Sequence, residues 1–283
     1  QPTEPALLLR GARYATLRRF LLARARVAAV VDHGDGAFEG VLAPTCVLVL
    51  VRHPARADRV RWTTPAGVRV DVDDAAWRRD PQCAFAPVSA AASALLARLD
   101  ELPRLRTLAH LGRGAEIGRS HPALSSRPGA SFVPCLTGSD VEPWRAVSTR
   151  WLDPTGLPKR LFPEERRARV LVRETGARLT AVHVPEGTAS TRSLFHVVAN
   201  DGIGLPPDFL LAWLHSSIAQ FWFATCVRAD SGIFPKLRIG QLGDLHVPIA
   251  PSLVAAVGEL AARRRRARTK AAARELDGWI DEA

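Results

Sequence analysis

Methionine is absent from this 283-residue chain, at position 1 as elsewhere. A gene product read from its start begins with methionine unless it is processed, so the chain is expected to be a fragment of a longer protein. Asparagine occurs once, as Asn200. Cysteine occurs only at Cys46, Cys83, Cys135 and Cys226, with no Cys-x-x-Cys pair and no Cys/His cluster. That spacing argues against a structural zinc site. Two of the cysteines sit in apolar runs and read as buried, reduced thiols of a cytoplasmic protein. The N-terminus carries Arg10, Arg13, Arg18 and Arg19 where a secretory signal needs an apolar core. The apolar run Phe209–Val227 is interrupted by His215, Ser216, Ser217 and Gln220. It reads as a buried core helix rather than a membrane span. No Ser-His-Asp order, carboxylate pair or phosphate-binding loop offers a catalytic centre.

Positive charge is what the chain has in excess. Thirty-nine Lys and Arg stand against 28 Asp and Glu, a net charge of +11. Between Arg104 and Arg192 there are 15 basic and 8 acidic residues, so this stretch holds +7 of the total. Such a surplus favours a polyanionic partner, because basic side chains that neutralise phosphates release counterions. The competing reading is compositional, with arginine replacing lysine on solvated faces.

The hydrophobic pattern gives the organisation. Ala12–Ala25 is predicted as a helix with arginines on one face and Leu17, Leu21 and Leu22 on the other. Val27–Val31 and Thr45–Val51 are near-continuous apolar runs joined by a glycine-rich turn. They are expected as adjacent strands inside a sheet covered on both faces, one edge of an α/β domain and too little to be a domain alone. His53–Asp80 reads as short strands and Ser89–Glu101 as a helix. A boundary is placed near Leu102–Arg106. Beyond Leu111 come short strands and turns. Val170–Val172 and Arg178–Val182 form a hairpin with alternating exposed polar groups, and Ser193–Val198 is another strand. Leu253–Ile280 is a helix or helix pair carrying the basic run Arg263–Lys270.

Four blocks carry a resemblance: the stretch from Leu17 through HGDGAFEG to Arg52, then LGRGAEIG with FVPCLTGSDV, then the hairpin at Arg169–Asn200, then Phe209–Ile249. In this order they resemble the end of the catalytic domain and the TaqI-like target-recognition domain of adenine-N6 DNA methyltransferases of restriction-modification type. Where that family usually has Leu-Asn-Ser, this chain has Leu214-His215-Ser216, and His215 reads as a structural residue. The resemblance implies a remnant of a Rossmann-like methyltransferase domain over residues 1–102. An α+β recognition domain follows over 103–250, and a helical segment over 251–283. It implies double-stranded DNA as partner and S-adenosyl-L-methionine as cofactor of the whole enzyme. The Gly-rich cofactor loop and the Asn-Pro-Pro-Tyr motif that such an enzyme needs are not read in this chain, so it is not expected to transfer methyl groups alone. The alternative is a non-catalytic DNA-specificity or phage-defence subunit serving a separate methyltransferase or nuclease.

The resemblance also assigns residues. Phe38 takes the place of the aromatic that packs on the flipped-out adenine, which has lost its stacking neighbours. A core residue covering the strand pair is the other reading of Phe38. Arg113 and Arg119 are placed for phosphates, and Gly112, Gly114 and Gly118 allow tight turns and close approach to another chain. Asp140 is a candidate acceptor for a cytosine amino group, or a turn and capping residue. Arg173 is the leading candidate for a base or phosphate contact, with a salt bridge to Glu174 or Glu165 as the alternative. Arg178, Lys236 and Arg238 complete the DNA-facing set. Arg263–Arg266 reads either as a phosphate contact or as a solvated helix face.

Overall fold

The structure, a computed structural model, describes residues 6–9, 12–34, 37–38, 45–52, 59–80, 82–118, 120–155, 157, 168–227, 236–267 and 269–283. It divides into two compact units, one ending at Glu101 and the other beginning at Leu102.

The first unit contains α1 (Ala6–Leu9), α2 (Ala15–Arg24), β1 (Ala25–Gly34), β2 (Thr45–Arg52), β3 (Arg59–Thr63), β4 (Arg69–Asp73), α3 (Ala75–Arg79) and α4 (Ala90–Leu99). The strands form one sheet in the order β2-β1-β3-β4. β1 pairs antiparallel with β2 and parallel with β3, and β3 pairs antiparallel with β4. Val27, Val30, Val60, Trp62, Val72, Trp77 and Phe85 form its core. Trp77 stacks on Phe85 with ring centroids 4.6 Å apart. The unit therefore closes around apolar residues of its own, where the sequence pattern predicts only the edge of a larger core.

Two further expectations need correction here. Arg18 does not lie on a solvated arginine face. It is fully buried and donates to the carbonyls of Cys83 (3.0 Å), Gln82 (2.8 Å) and Leu8 (3.0 Å). A buried guanidinium persists because its donors find acceptors within the fold. Leu17, on the face predicted to be buried, is exposed instead, as is Phe20. The second correction concerns β2. It is an edge strand of the described sheet rather than a strand covered on both faces, and Val47, Val49, Leu50 and Val51 are all exposed.

The second unit opens with α5 (Leu105–Leu108) and runs through β5 (Ala109–Arg113), β6 (Leu124–Ser125), β7 (Val133–Leu136), β8 (Val141–Glu142), β9 (Arg145–Ala146), β10 (Arg150–Leu152), β11 (Arg169–Arg173), β12 (Ala181–Val184), β13 (Ala189–Ser190) and β14 (Leu194–Ala199). Among the described residues, α6 (Pro207–His215), α7 (Ser217–Trp222), a π-helical segment (Phe223–Val227), α8 (Ile239–Asp244), α9 (Pro251–Arg266) and α10 (Lys270–Glu282) follow. One sheet is antiparallel in the order β12-β11-β14-β5, another has the order β13-β7-β10-β6, and β8–β9 is a separate hairpin. Leu136, Val141, Leu171, Val182, Val184 and Leu194 form one apolar cluster, and Ala115, Ile117, Cys135, Leu152 and Ala189 another. β11 lacks the predicted alternation, because Arg169 to Val172 are all buried. A strand covered on both faces is apolar throughout.

The apolar run near residue 220 is a bent pair. α6 and the segment Ser217–Val227 meet at 54°. Ser216 makes the break: its backbone is extended, and its hydroxyl accepts from Ala219 N–H at 3.2 Å. Gln220 then satisfies backbone at the break and in the neighbouring connection, donating to the Leu214 carbonyl at the end of α6 and to the Leu179 carbonyl, and accepting from Leu179 N–H. The polar residues that interrupt the run are thus its hydrogen-bonding fixtures. Among the described residues, no single helix is long and apolar enough to cross a membrane.

Candidate nucleic-acid interface

The end of β5, the end of β11 and the start of β14 lie side by side, since Arg113 pairs with Phe195 and Arg173 with Leu194. The turn at Thr191–Ser193 ties this rim together. Its Arg192 carbonyl accepts from Arg113 Nε at 2.9 Å, its Ser193 carbonyl accepts from Glu174 N–H at 3.0 Å, and its Ser193 hydroxyl accepts from Gly138 N–H at 2.8 Å. Glu174 is the electrostatic centre. Its carboxylate bonds to Arg113 and lies 3.5 Å from Lys236 Nζ. Lys236 is fixed through its neighbours, because Thr175 and Lys236 form a bridge and Leu237 N–H donates to the Glu174 carbonyl at 2.7 Å.

Arg113, Arg173 and Lys236 are therefore brought to one rim, with exposed Arg238 two residues beyond. Glu174 pairs with Arg113 and Lys236, and Arg173 itself donates to the Val141 carbonyl at 3.4 Å. Arg178 is exposed on the far limb of the β11–β12 connection and lines a separate cleft. Arg119, Glu165 and residues 232–235 lie outside the described residues. Phe38 is 61% exposed, so its side chain is not a core residue.

Asp140 sits at this end of the unit, but its carboxylate is turned inward and only 3% of the residue is exposed. Oδ2 accepts from Thr137 N–H at 2.8 Å and from the Thr137 hydroxyl at 2.7 Å, while Oδ1 accepts from Ser148. Arg150 Nε stands 3.5 Å away. Burial alone raises the carboxyl pKa, yet the bonds from Ser148 and Thr137 and the charge of Arg150 outweigh it, and the net shift is downward. The geometry at Asp140 is that of a capping residue.

The glycines also act within the fold. A Cβ on Gly114 would meet the Ser190 carbonyl at 2.6 Å and come closer still to the Thr191 carbonyl, so the close approach is to the chain's own backbone. The basic run on α9 is largely committed as well. Arg264 pairs with Asp277 at 2.7 Å, Arg265 with Asp208 at 2.9 Å, and Arg263 covers the Trp279 ring. Three of its four arginines pin α9 to α10 and α6, which neither reading of the run anticipates.

The cleft beside Arg178 has a volume of about 270 Å³ and is lined in part by Trp144, Leu179, His215 and Arg264. Trp144 lies on the His215 ring (centroids 4.9 Å apart), with the Arg264 guanidinium 5.0 Å from the Trp144 ring centroid. His215 Nε2 accepts from Ala181 N–H at 3.2 Å, which requires the neutral ring. Burial pushes its pKa down to about 3, helped by the charges of Arg264 and Arg178 and opposed by the Leu211 carbonyl. His215 is thus neutral in the fold and titrates in the unfolded chain at an ordinary 6.5. The unfolded state takes up the extra proton, so stability is complete above the ordinary value and falls as the pH drops below it. The expected loss is ~1.4 kcal/mol per pH unit. His215→Gln keeps an acceptor for Ala181 and is expected to shrink the difference in melting temperature between about pH 7.5 and about pH 5.

The described residues offer no fit for S-adenosyl-L-methionine. Gly34 ends β1, residues 35 and 36 lie outside the described residues, and the next described element is antiparallel β2 and not a helix N-terminus. Cofactor loops of that type need the helix dipole and its free N–H groups. Among the described residues, no group of three or more His, Cys, Asp or Glu could hold a metal ion.

Residues 133–249 match the TaqI-like C-terminal specificity domain. The chain is also homologous to the Type II methyltransferase M.TthHB8I of Thermus thermophilus, with 28% identity over 140 residues, or 44% of this chain and 31% of that protein. Its fold is similar to that of the Type IIL restriction-modification enzyme MmeI, solved in complex with DNA. The TM-score is 0.58 at 11% identity, over 95% of this chain and 44% of MmeI. The chain therefore spans less than half the length of either protein. The specificity-domain match takes in β7 to β14, α6 to α8 and most of the basic rim, while Arg113 lies before it.

Proposed function

We propose that this chain is the DNA-recognition part of a site-specific adenine-N6 DNA methyltransferase of restriction-modification type. The observation that carries the reading is the coincidence of the specificity-domain match with the rim formed by Arg173, Glu174 and Lys236. In this reading residues 103–250 read the duplex and 251–283 brace them. Residues 1–102 belong to the catalytic domain of the whole enzyme, which uses S-adenosyl-L-methionine. The edge strand β2 supports that last assignment. Exposed valines and a leucine along one strand have the composition of a sheet-interior strand, whereas edges that face water carry charges, bulges or proline. Exposed Phe38 follows β1 and is available to stack on an extruded adenine.

The test joins the chain to its adjoining upstream sequence and maps N6-methyladenine in DNA exposed to the product. Methylation at one recurring site is expected. Phe38→Ala is expected to leave duplex affinity within about threefold while lowering extrusion of the target base, read as reduced 2-aminopurine fluorescence at that position. A joined protein that binds one site yet neither binds S-adenosyl-L-methionine nor methylates favours the other reading, a specificity subunit acting with a separate methyltransferase or nuclease.

A further inference from the structure

Asp140 is buried and satisfied, and what it holds in place is a loop. The segment from Arg145 to Arg150 leaves the tight β8–β9 hairpin and returns as β10. Each end is anchored. At the start, Trp144 adopts a left-handed backbone (φ 73°), which a bulky residue avoids, and its N–H donates to the Ala181 carbonyl at 3.0 Å. Its ring is held by His215 and Arg264. At the other end, Arg150 enters β10 opposite Cys135. Between them Asp140 fastens the loop three times: its carbonyl accepts from Val147 N–H at 2.9 Å, its carboxylate accepts from Ser148, and the same carboxylate faces Arg150.

The fixed backbone turns a distinctive set of side chains outward. Val147 is 45% exposed, the large apolar side chain of an otherwise small or polar loop. Ser148 and Thr149 are exposed beside it, and arginines flank it at 145 and 150. Arg145 pairs with Glu142 at 2.6 Å, but both groups are solvated, so the pair is worth little and exchanges readily for a phosphate. Arg150 has its Nε side turned to Asp140 and remains about a third exposed. Arg173 reaches the same place, since it donates to the carbonyl of Val141 at the foot of the hairpin.

We propose that Arg145–Arg150 is a base-reading loop, with Val147 contacting a thymine methyl group, Arg150 contacting a guanine edge, and Asp140 as the positioning residue that presents both. The inference rests on the DNA-recognition reading above and names the side chains that give it sequence preference. The chemistry fits the major groove: apolar groups pair with the thymine methyl, and an arginine fork pairs with guanine O6 and N7. Preorganisation matters because a loop ordered before binding loses less entropy on contact.

The experiment selects binders from a randomised duplex pool with the full chain and sequences the enriched DNA. The wild-type chain is expected to enrich one motif. Val147→Ser and Arg150→Ala are each expected to lose preference at one or two base pairs, neighbouring in the motif, with the other positions intact. On the wild-type site the loss is about 5- to 150-fold per position. Ser148→Ala removes one of the Asp140 fastenings and leaves the rest of the cap, and is expected to blur the same positions at an unchanged melting temperature. Asp140→Asn is expected to do so more strongly. If Val147→Ser and Arg150→Ala both return the complete wild-type motif, the loop does not read DNA and the proposal fails, while recognition elsewhere stands. If the wild-type chain enriches no motif, the recognition reading fails and the loop proposal with it.

Discussion

Replacing Gly114 by alanine is expected to destabilise the second unit by about 3 kcal/mol and to lower its melting temperature by roughly 6–12 °C. The added methyl would occupy space already held by the backbone of Ser190 and Thr191. Backbone cannot swing aside as a flexible side chain can. The residue is also hydrogen-bonded in place: Gly114 N–H donates to the Leu194 carbonyl at 3.0 Å, and Ala115 N–H donates to the Ser190 carbonyl at 2.7 Å. Relieving the clash breaks these bonds and parts β5 from the turn that carries Arg192 and Ser193. Gly118→Ala is the matched control. A Cβ there meets nothing within 4 Å, so its effect is expected within about 0.5 kcal/mol. Thermal melts of both variants check the pair.

The second large effect is on affinity for DNA. Replacing Arg173, Lys236 and Arg238 together by alanine is expected to weaken binding to any duplex about 100-fold at low salt and to reduce the salt dependence by about 2–3 counterions. Several of the chain's other arginines are committed to partners within the fold. Arg18 and Arg169 are buried, Arg113 is tied to Glu174 and the Arg192 carbonyl, and Arg264 and Arg265 hold helices together. A net charge of +11 thus overstates the surface that can meet phosphates. At the rim, Glu174 keeps Arg113 and Lys236 in register.

Local patterns in the sequence carried much of this fold. β11, β12 and β14 are short apolar runs with turn residues between them, and α9 and α10 follow a helical period, so each was readable from its own residues. The division between the units falls at Leu102, where an apolar helix gives way to strand-and-turn composition. Where the pattern misled, a distant partner decided the outcome. Arg18 has the spacing of a surface arginine, and its burial depends on acceptors that include the carbonyls of Gln82 and Cys83, more than sixty residues on. Asp140 was open between base contact and cap until Ser148 and Arg150 were placed around it. Gly114 was read as an approach to another chain because nothing local reveals that Thr191 lies over it. The Arg145–Arg150 loop was missed altogether. Its local signal is a valine in a short segment flanked by arginines, which means little without the fastening by Asp140.

The measurement that tests the central claim most directly is a titration of the full chain, and of the Arg173/Lys236/Arg238 triple alanine variant, against a fluorescent duplex at about 50 and about 200 mM salt. Anisotropy reports the dissociation constant in each case. The account predicts that the wild-type chain binds at low salt, loses affinity by orders of magnitude at the higher salt if six or more phosphates are contacted, and binds more strongly than the variant at both. A wild-type chain that does not bind duplex DNA at low salt, or that binds no better than the variant, would contradict it.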